Sequence, residues 1–404
     1  MKKRIGLPGL IVAVTAAALV ARAGARQPLP WDCEALFKTP ATYDAPAVAG
    51  TTNGVRALFY DNEPYQGRPT RVFAYYGCPK TEPGKRVPGM VLLHGGGGTA
   101  YLAWVRLWNS RGYAAIAMDL CGSVPNESLK WPFPYHAWAG PDGKSPVLHA
   151  AEPERDQWPY HAVAAAVRAH SLLRSFPEVD AGRTGVMGIS WGGYVTCIAA
   201  SVDSRFAFAV PVYGCGFLSD NSMWLDQFEQ IGAANAKRWT SLWDPSVYLP
   251  LSKVPFLWVT GSNDRAYPLD SLRKSCRRLE VPPRLCVRLR MPHGHIFHIK
   301  EAFAFADGFA PGGRPLPSFT TVQRDGRKVS AAFSGASRKV IRAELNYTLD
   351  TGAWQQRVWQ AAPARLASGT VEAEIPDKAS VYYFNLVTDD DLVVSSAHEE
   401  LREK

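Results

Sequence analysis

The sequence predicts an α/β chain, a mostly parallel sheet flanked by helices, that ends in an all-β sandwich. Two observations predict this. From Gly89 to about 310, short apolar runs alternate with helical stretches: Met90–His94, Tyr113–Leu120, Thr184–Ile189, Phe206–Tyr213, Phe256–Gly261 and Leu285–Met291. Continuous apolar strands separated by helices describe a parallel sheet covered on both faces. The alternation stops at Pro311-Gly312-Gly313-Arg314-Pro315, a linker-like composition. Beyond it, the runs 329–333, 340–349, 370–375, 381–387 and 392–396 are separated by turns with no helical pattern, as in a small sandwich.

The elements follow in order. Met1-Lys2-Lys3-Arg4, an apolar run over Leu10–Val20 and the small-x-small site Ala21-Arg22-Ala23, with Ala23-Gly24-Ala25 as a second option, read as a signal peptide over 1–23. The run is short for a bilayer span, so the expected location is secreted or periplasmic, with no membrane association after cleavage. Two strand-like runs follow, Val55–Tyr60 and Arg71–Cys78. The helix expected over Trp158–Ser175 carries Val163, Val167, Leu172 and Leu173 as a buried stripe. Stretches 122–156 and 219–248 interrupt the rhythm after strand ends and read as pocket walls or a cap. The expected organisation is a signal peptide at 1–23, an α/β domain at 24–315 and a β-sandwich at 320–404.

A hydrophobic content of 47% with 20% charged residues is ordinary for a globular chain. Four of the 45 basic residues (Lys2, Lys3, Arg4, Arg22) and none of the 36 acidic ones fall within 1–23, so the remainder carries a formal +5. That charge is mild and unclustered, which argues against nucleic acid as a partner. Seven cysteines contain no CxxC pair, so neither zinc nor a dithiol redox centre is expected. Export permits disulfides, and the odd count leaves at least one thiol unpaired within the chain. Cys197 reads as a small buried apolar residue.

The strongest chemical signal is Gly188-Ile189-Ser190-Trp191-Gly192-Gly193, directly after an expected strand and opening an expected helix. In that context a G-x-S-x-G turn lifts its serine above the sheet as a nucleophile. A serine hydroxyl needs a base, and the base needs an orienting acid. Asp264 follows the strand Phe256–Gly261 in Ser262-Asn263-Asp264 and is the expected acid, while Asp270 reads as a helix cap. The last strand runs into Met291-Pro292-His293-Gly294-His295-Ile296-Phe297. His295 is the expected base, because Gly294 gives the loop room to bend before it; His293 is the alternative and His298 a more distant one. No HExxH or carboxylate set accompanies these histidines, so no metal is expected. His94-Gly95-Gly96-Gly97-Gly98 follows the strand at 90–93 and lacks the Gly-Lys-Ser/Thr of a phosphate loop. Its Gly95 and Gly96 amides, with that of Trp191, are the expected oxyanion donors.

These motifs, HGGGG, GISWGG, GSND and HGH in that order, resemble the α/β-hydrolase superfamily, within its dienelactone hydrolase and acetyl xylan esterase relatives. VYGCGF, WDPSVYLP, AYPLDS and MPHGH resemble a group of secreted, esterase-like bacterial proteins with a C-terminal β-domain. The resemblance implies an α/β-hydrolase fold, no cofactor and a base in Gly294-His295-Ile296-Phe297. Dienelactone hydrolases proper carry a cysteine nucleophile where this chain has Ser190, which favours ester hydrolysis over thiolate chemistry.

Among the tryptophans, Trp131, Trp138 and Trp191 are the expected substrate wall, with Trp224 a further candidate; Trp158 and Trp243 are expected to pack the core. The expected function is a serine ester hydrolase working through an acyl-enzyme on short acyl esters, acetyl above all, of a small molecule or polysaccharide. The alternatives are a prolyl-oligopeptidase-like peptidase and a catalytically idle polymer-binding protein.

Overall fold

A computed structural model describes residues 28–45, 54–125, 133–335 and 337–401. The segment read as a signal peptide and Trp131 lie outside the described residues. After a short helical turn at Cys33–Leu36 come three strands, β1 (Thr42–Asp44), β2 (Val55–Tyr65) and β3 (Arg68–Gly77), paired antiparallel. The alternating part then runs β4 (Val87–Leu93), α1 (Leu102–Ser110), β5 (Ala114–Met118), α2 (Trp158–Ser175), β6 (Val179–Ile189), α3 (Trp191–Val202) and β7 (Phe208–Val212). It continues with α4 (Leu225–Trp243), β8 (Leu257–Gly261), α5 (Leu269–Cys276), β9 (Arg284–Arg288) and α6 (Lys300–Asp307).

Strands β5-β4-β6-β7-β8-β9 are adjacent in that order and parallel. Their apolar runs are buried because helices cover both faces; all five residues of β5, β7 and β8 are buried. The chain leaves β4 for β5 on one side and returns to β6 on the other. This reversal is a topological switch point, and it opens a crevice at the carboxyl ends of β4 and β6. Register sets Leu93 beside Gly188, so the glycine loop after β4 lies next to the turn after β6. Helix α2 spans the expected residues, has proline at its first turn, where a missing N–H costs nothing, and is buried along most of its length.

The C-terminal strands are β10 (Ser318–Asp325), β11 (Lys328–Ser334), β12 (Val340–Thr348), β13 (Trp359–Pro363), β14 (Arg365–Ala367), β15 (Thr370–Glu374), β16 (Val381–Thr388), β17 (Val393–Ser395) and β18 (Glu399–Glu400). Strands β10-β11-β15-β14 make one antiparallel sheet. The other sheet is not separate: β17 pairs with β9 at Ser395 and Leu285, so β17-β16-β12-β13 extends the catalytic sheet. The Val287 amide donates to Ser395 Oγ (2.8 Å), and Asn385 Nδ2 donates to the Val287 carbonyl (3.1 Å). Every residue of β16 is buried. Val381, Tyr383 and Val387 join the catalytic core, while Tyr382, Phe384 and Leu386 join the sandwich core with Val329, Leu345 and Val371. The strand's period of two thus closes two cores at once.

All seven cysteines are unpaired, and Cys197 is buried in α3 as expected. Asp270 does not cap α5; it lies within the first turn and accepts from Asn221 Nδ2 (3.1 Å). No helix among the described residues is long and apolar enough to cross a membrane.

Candidate active site

Ser190 stands between β6 and α3 with φ 57° and ψ −117°, a conformation uncommon for a residue with a side chain. The surroundings enforce it. The Ser190 amide donates to the Val212 carbonyl (2.9 Å), and its carbonyl accepts from Tyr194 N–H (2.9 Å). A Cβ on Gly188 would fall 2.1 Å from the Gly192 carbonyl oxygen, and one on Gly192 would fall 2.1 Å from that of Leu93. Both glycines are therefore steric necessities of the turn. Such backbone strain costs on the order of 1–3 kcal/mol and persists only where packing over-determines it.

The structure corrects the expected base. His293, not His295, sits between the serine and the acid: His293 Nε2 is 2.9 Å from Ser190 Oγ, and Nδ1 is 2.7 Å from Asp264 Oδ2. Asp264 is 2% exposed, and its Oδ1 accepts from the Ala266 (2.9 Å) and Tyr267 (2.7 Å) amides. With both oxygens committed, the carboxylate is fixed in place and orients the imidazole. The His293 ring stacks on Tyr213 at 4.3 Å between centroids, and Tyr213 Oη donates to the Pro292 carbonyl (2.8 Å). The Arg290 amide donates to Ser262 Oγ (3.0 Å), so the histidine loop is tied to neighbouring strand ends on both sides.

These ties set the register that the motif left open. Gly294 lacks a positive φ, and a Cβ there would meet nothing within 4 Å, so the bend credited to it is not required. His295, two residues beyond His293, turns behind the glycine loop, where its Nε2 accepts the Gly95 N–H (3.1 Å) and its ring lies 5.2 Å from that of Tyr101. Burial is the first cause pushing His295 down to about 4, with His94 and His293 adding to it. A neutral ring is also what an Nε2 acceptor requires. His298 is exposed and lies edge-on to Phe303, away from the site.

The Gly95 contact corrects a second expectation. That amide is engaged by His295 and Gly95 does not line the cavity, whereas Gly96 and Trp191 do. Trp191 is the first residue of α3, so its N–H has no intrahelical acceptor. His94 fixes the loop beneath: its Nε2 accepts from the Leu120 amide (2.8 Å), which leaves Nδ1–H to donate to the Gly95 carbonyl (2.7 Å). Gly98 N–H donates to that same carbonyl (3.0 Å).

Ser190 and His293 open into a cavity of about 360 Å³ walled by Phe133, Tyr135, Trp191, Met223 and Trp224. Trp191 is therefore in the wall, as is Trp224, 4.5 Å from it between ring centroids. Trp138 is not: it is 42% exposed and stacks under the Arg71 guanidinium. Trp158 and Trp243 are buried, each with its indole N–H bonded, to the Leu120 carbonyl (2.7 Å) and Gln157 Oε1 (2.8 Å). Cys121 also lines the cavity, but burial raises its pKa, so it offers a thiol rather than a competing thiolate.

Sequence reasoning missed Asp119, buried at the end of β5, whose Oδ1 accepts from the Cys121 and Ser123 amides and Oδ2 from Thr99 Oγ. It folds the start of the 122–156 insert over the cavity. It also missed Tyr213, signalled only by its place before a glycine in VYGCG, and the polar lining residues Lys144, Gln227 and Arg265. Among the described residues no group of three or more His, Cys, Asp or Glu is placed to hold a metal ion.

The acetyl xylan esterase family model matches residues 53–228, a span that takes in Ser190 and the glycine loop and ends before Asp264 and His293. An acetyl xylan esterase from Paenibacillus sp. R4 superposes with a TM-score of 0.52 at 22% identity, covering 69% of this chain and 92% of that one. Acetyl xylan esterase 1 from Thermoanaerobacterium sp. JW/SL YS485 gives 0.50 at 17%, covering 67% and 90%. Among curated proteins, none matches the chain. The sheet order, the strained serine between β6 and α3 and these likenesses make the chain an α/β-hydrolase in fold, and its similarity to the acetyl xylan esterases over 53–228 supports a carboxylic ester hydrolase.

Proposed function

We propose that this chain is a secreted serine esterase that removes short acyl groups, acetyl above all, from a sugar or another polyhydroxy alcohol. The observation that carries the reading is the continuous relay Ser190 Oγ–His293 Nε2 (2.9 Å) and His293 Nδ1–Asp264 Oδ2 (2.7 Å) at the mouth of one cavity. Ser190 Oγ attacks the ester carbonyl while His293 Nε2 takes its proton and Asp264 steadies the imidazolium. Negative charge builds on the carbonyl oxygen, which the Trp191 and Gly96 amides stabilise. The tetrahedral adduct collapses, His293 protonates the departing alkoxide, and the acyl group stays on Ser190. Water, deprotonated by His293, then releases the acid and restores the serine.

The small cavity and its aromatic wall favour a short acyl group and a sugar-like alcohol, whose apolar C–H faces suit Trp191 and Trp224. Each methylene that does not fit costs about 1–3 kcal/mol of discrimination. The basic, then apolar, then small-residue N-terminus supports export. The test is kcat/KM on acetyl, butyryl and octanoyl 4-nitrophenyl esters, with acetate release from acetylated xylan and Ser190→Ala as control. A steep fall from acetyl to octanoyl, abolished in Ser190→Ala, is expected. Octanoyl preference, or peptide cleavage without esterase activity, would overturn the reading.

A further inference from the structure

The active-site cavity has a charge character that ester hydrolysis alone does not explain. Its charged lining residues are Lys144 and Arg265, and no carboxylate lines it among the described residues. Asp264, the nearest acid in sequence to Arg265, is turned inward, both its oxygens held by the Ala266 and Tyr267 amides and by His293. Arg265 is exposed and makes no hydrogen bond or ion pair among the described residues. Arginines of the helices α4 and α5 are committed elsewhere: Arg238 donates to the Ala150 and Glu152 carbonyls, and Arg273 pairs with Glu399 and Glu400. Lys144 lies over the Tyr135 ring at 5.3 Å and has Asp142 nearby, so its charge is partly answered. Arg265 is the cation left facing the cavity.

A guanidinium is a planar five-donor fork that matches a carboxylate at two points. Held one residue after the acid of the relay, Arg265 shares the cavity with Ser190 and His293. We propose that Arg265 sets specificity, and that the esters this site prefers carry a carboxylate beside the acylated hydroxyl, as an O-acylated sugar acid does. Lys144, in the 122–156 insert and lining the same cavity, reinforces the field. This deepens the esterase reading above and rests on it. Arg265 acts on the alcohol part of the substrate and takes no part in proton transfer.

The test compares kcat/KM for O-acetylated glucuronic acid with that for O-acetylated glucose, in the native protein and in Arg265→Gln and Arg265→Lys. The native protein is expected to favour the acidic ester by about tenfold, in the range of one charge-assisted hydrogen-bonded pair. In Arg265→Gln that ratio falls to near one, chiefly through KM for the acidic ester, and Arg265→Lys restores part of it. The preference should also shrink as salt rises. Equal use of the two esters by the native protein, or a ratio unchanged in Arg265→Gln, would overturn the proposal. Calorimetric binding of free glucuronate, against glucose, to the native and Arg265→Gln proteins separates the two readings. If no ester is hydrolysed, the esterase reading fails, and glucuronate binding lost in Arg265→Gln still upholds the anion site; binding unchanged in the variant sinks it.

Discussion

The Gly95 amide donates to Nε2 of His295 at 3.1 Å, so the histidine with the more suggestive sequence context anchors the glycine loop. The contact fixes the ring's protonation state, because an Nε2 that accepts cannot also carry a proton.

That requirement predicts acid sensitivity. Burial is the first cause holding His295, His161 and His170 down at about 4, from an ordinary value of 6.5. Between those limits the unfolded chain binds protons that the folded chain refuses, so stability rises with pH through this window and is lost as pH falls from about 6.5 towards 4. Each ring contributes at most about 3 kcal/mol. Calorimetric Tm should therefore fall steadily from pH 7 to pH 4; a flat profile would show that these rings titrate freely.

Asp264→Asn should keep the fold and lower kcat by about 10³- to 10⁴-fold. The Ala266 and Tyr267 amides can still bond the side-chain oxygen, but an amide N–H facing His293 Nδ1 favours the wrong tautomer. Kinetics on 4-nitrophenyl acetate, with circular dichroism as a check on folding, decide it. A loss below about tenfold would remove Asp264 from the relay.

The sandwich strands should not be dispensable. Val381, Tyr383, Val387, Leu392 and Val394 belong to the catalytic core, and Asn263, beside Asp264, donates to the Gln355 (3.2 Å) and Arg357 (2.7 Å) carbonyls. A chain ending at Phe319 would expose the β9 edge and that apolar surface, so it is expected to aggregate or to unfold at a much lower temperature. A soluble, fully active fragment would contradict this.

Much of this was legible in the sequence, and the exceptions share a cause. The parallel strands are continuous apolar runs largely buried on both faces, so their composition and their alternation with helices reveal them, and Ser190 announces itself through glycines that sterics demand. Strand β10 was not visible because Ser318–Asp325 is largely exposed and polar on both faces. The choice between His293 and His295 was not readable either. Loop register depends on Tyr213 Oη holding the Pro292 carbonyl and Ser262 Oγ holding the Arg290 amide, partners distant in sequence. The Gly95 amide was misassigned for the same reason, since its partner lies 200 residues away. Trp138 failed as a wall residue because Arg71 draws it to the surface.

The central claim is that His293 is the base of Ser190, and parallel measurement of kcat/KM on 4-nitrophenyl acetate for His293→Ala and His295→Ala tests it most directly. His293→Ala should lose at least about 10³-fold, approaching Ser190→Ala, because the serine proton then has no acceptor. His295→Ala should lose far less, about tenfold to a hundredfold, since it only loosens the loop that presents the Gly96 amide. A larger loss in His295→Ala than in His293→Ala would contradict the account.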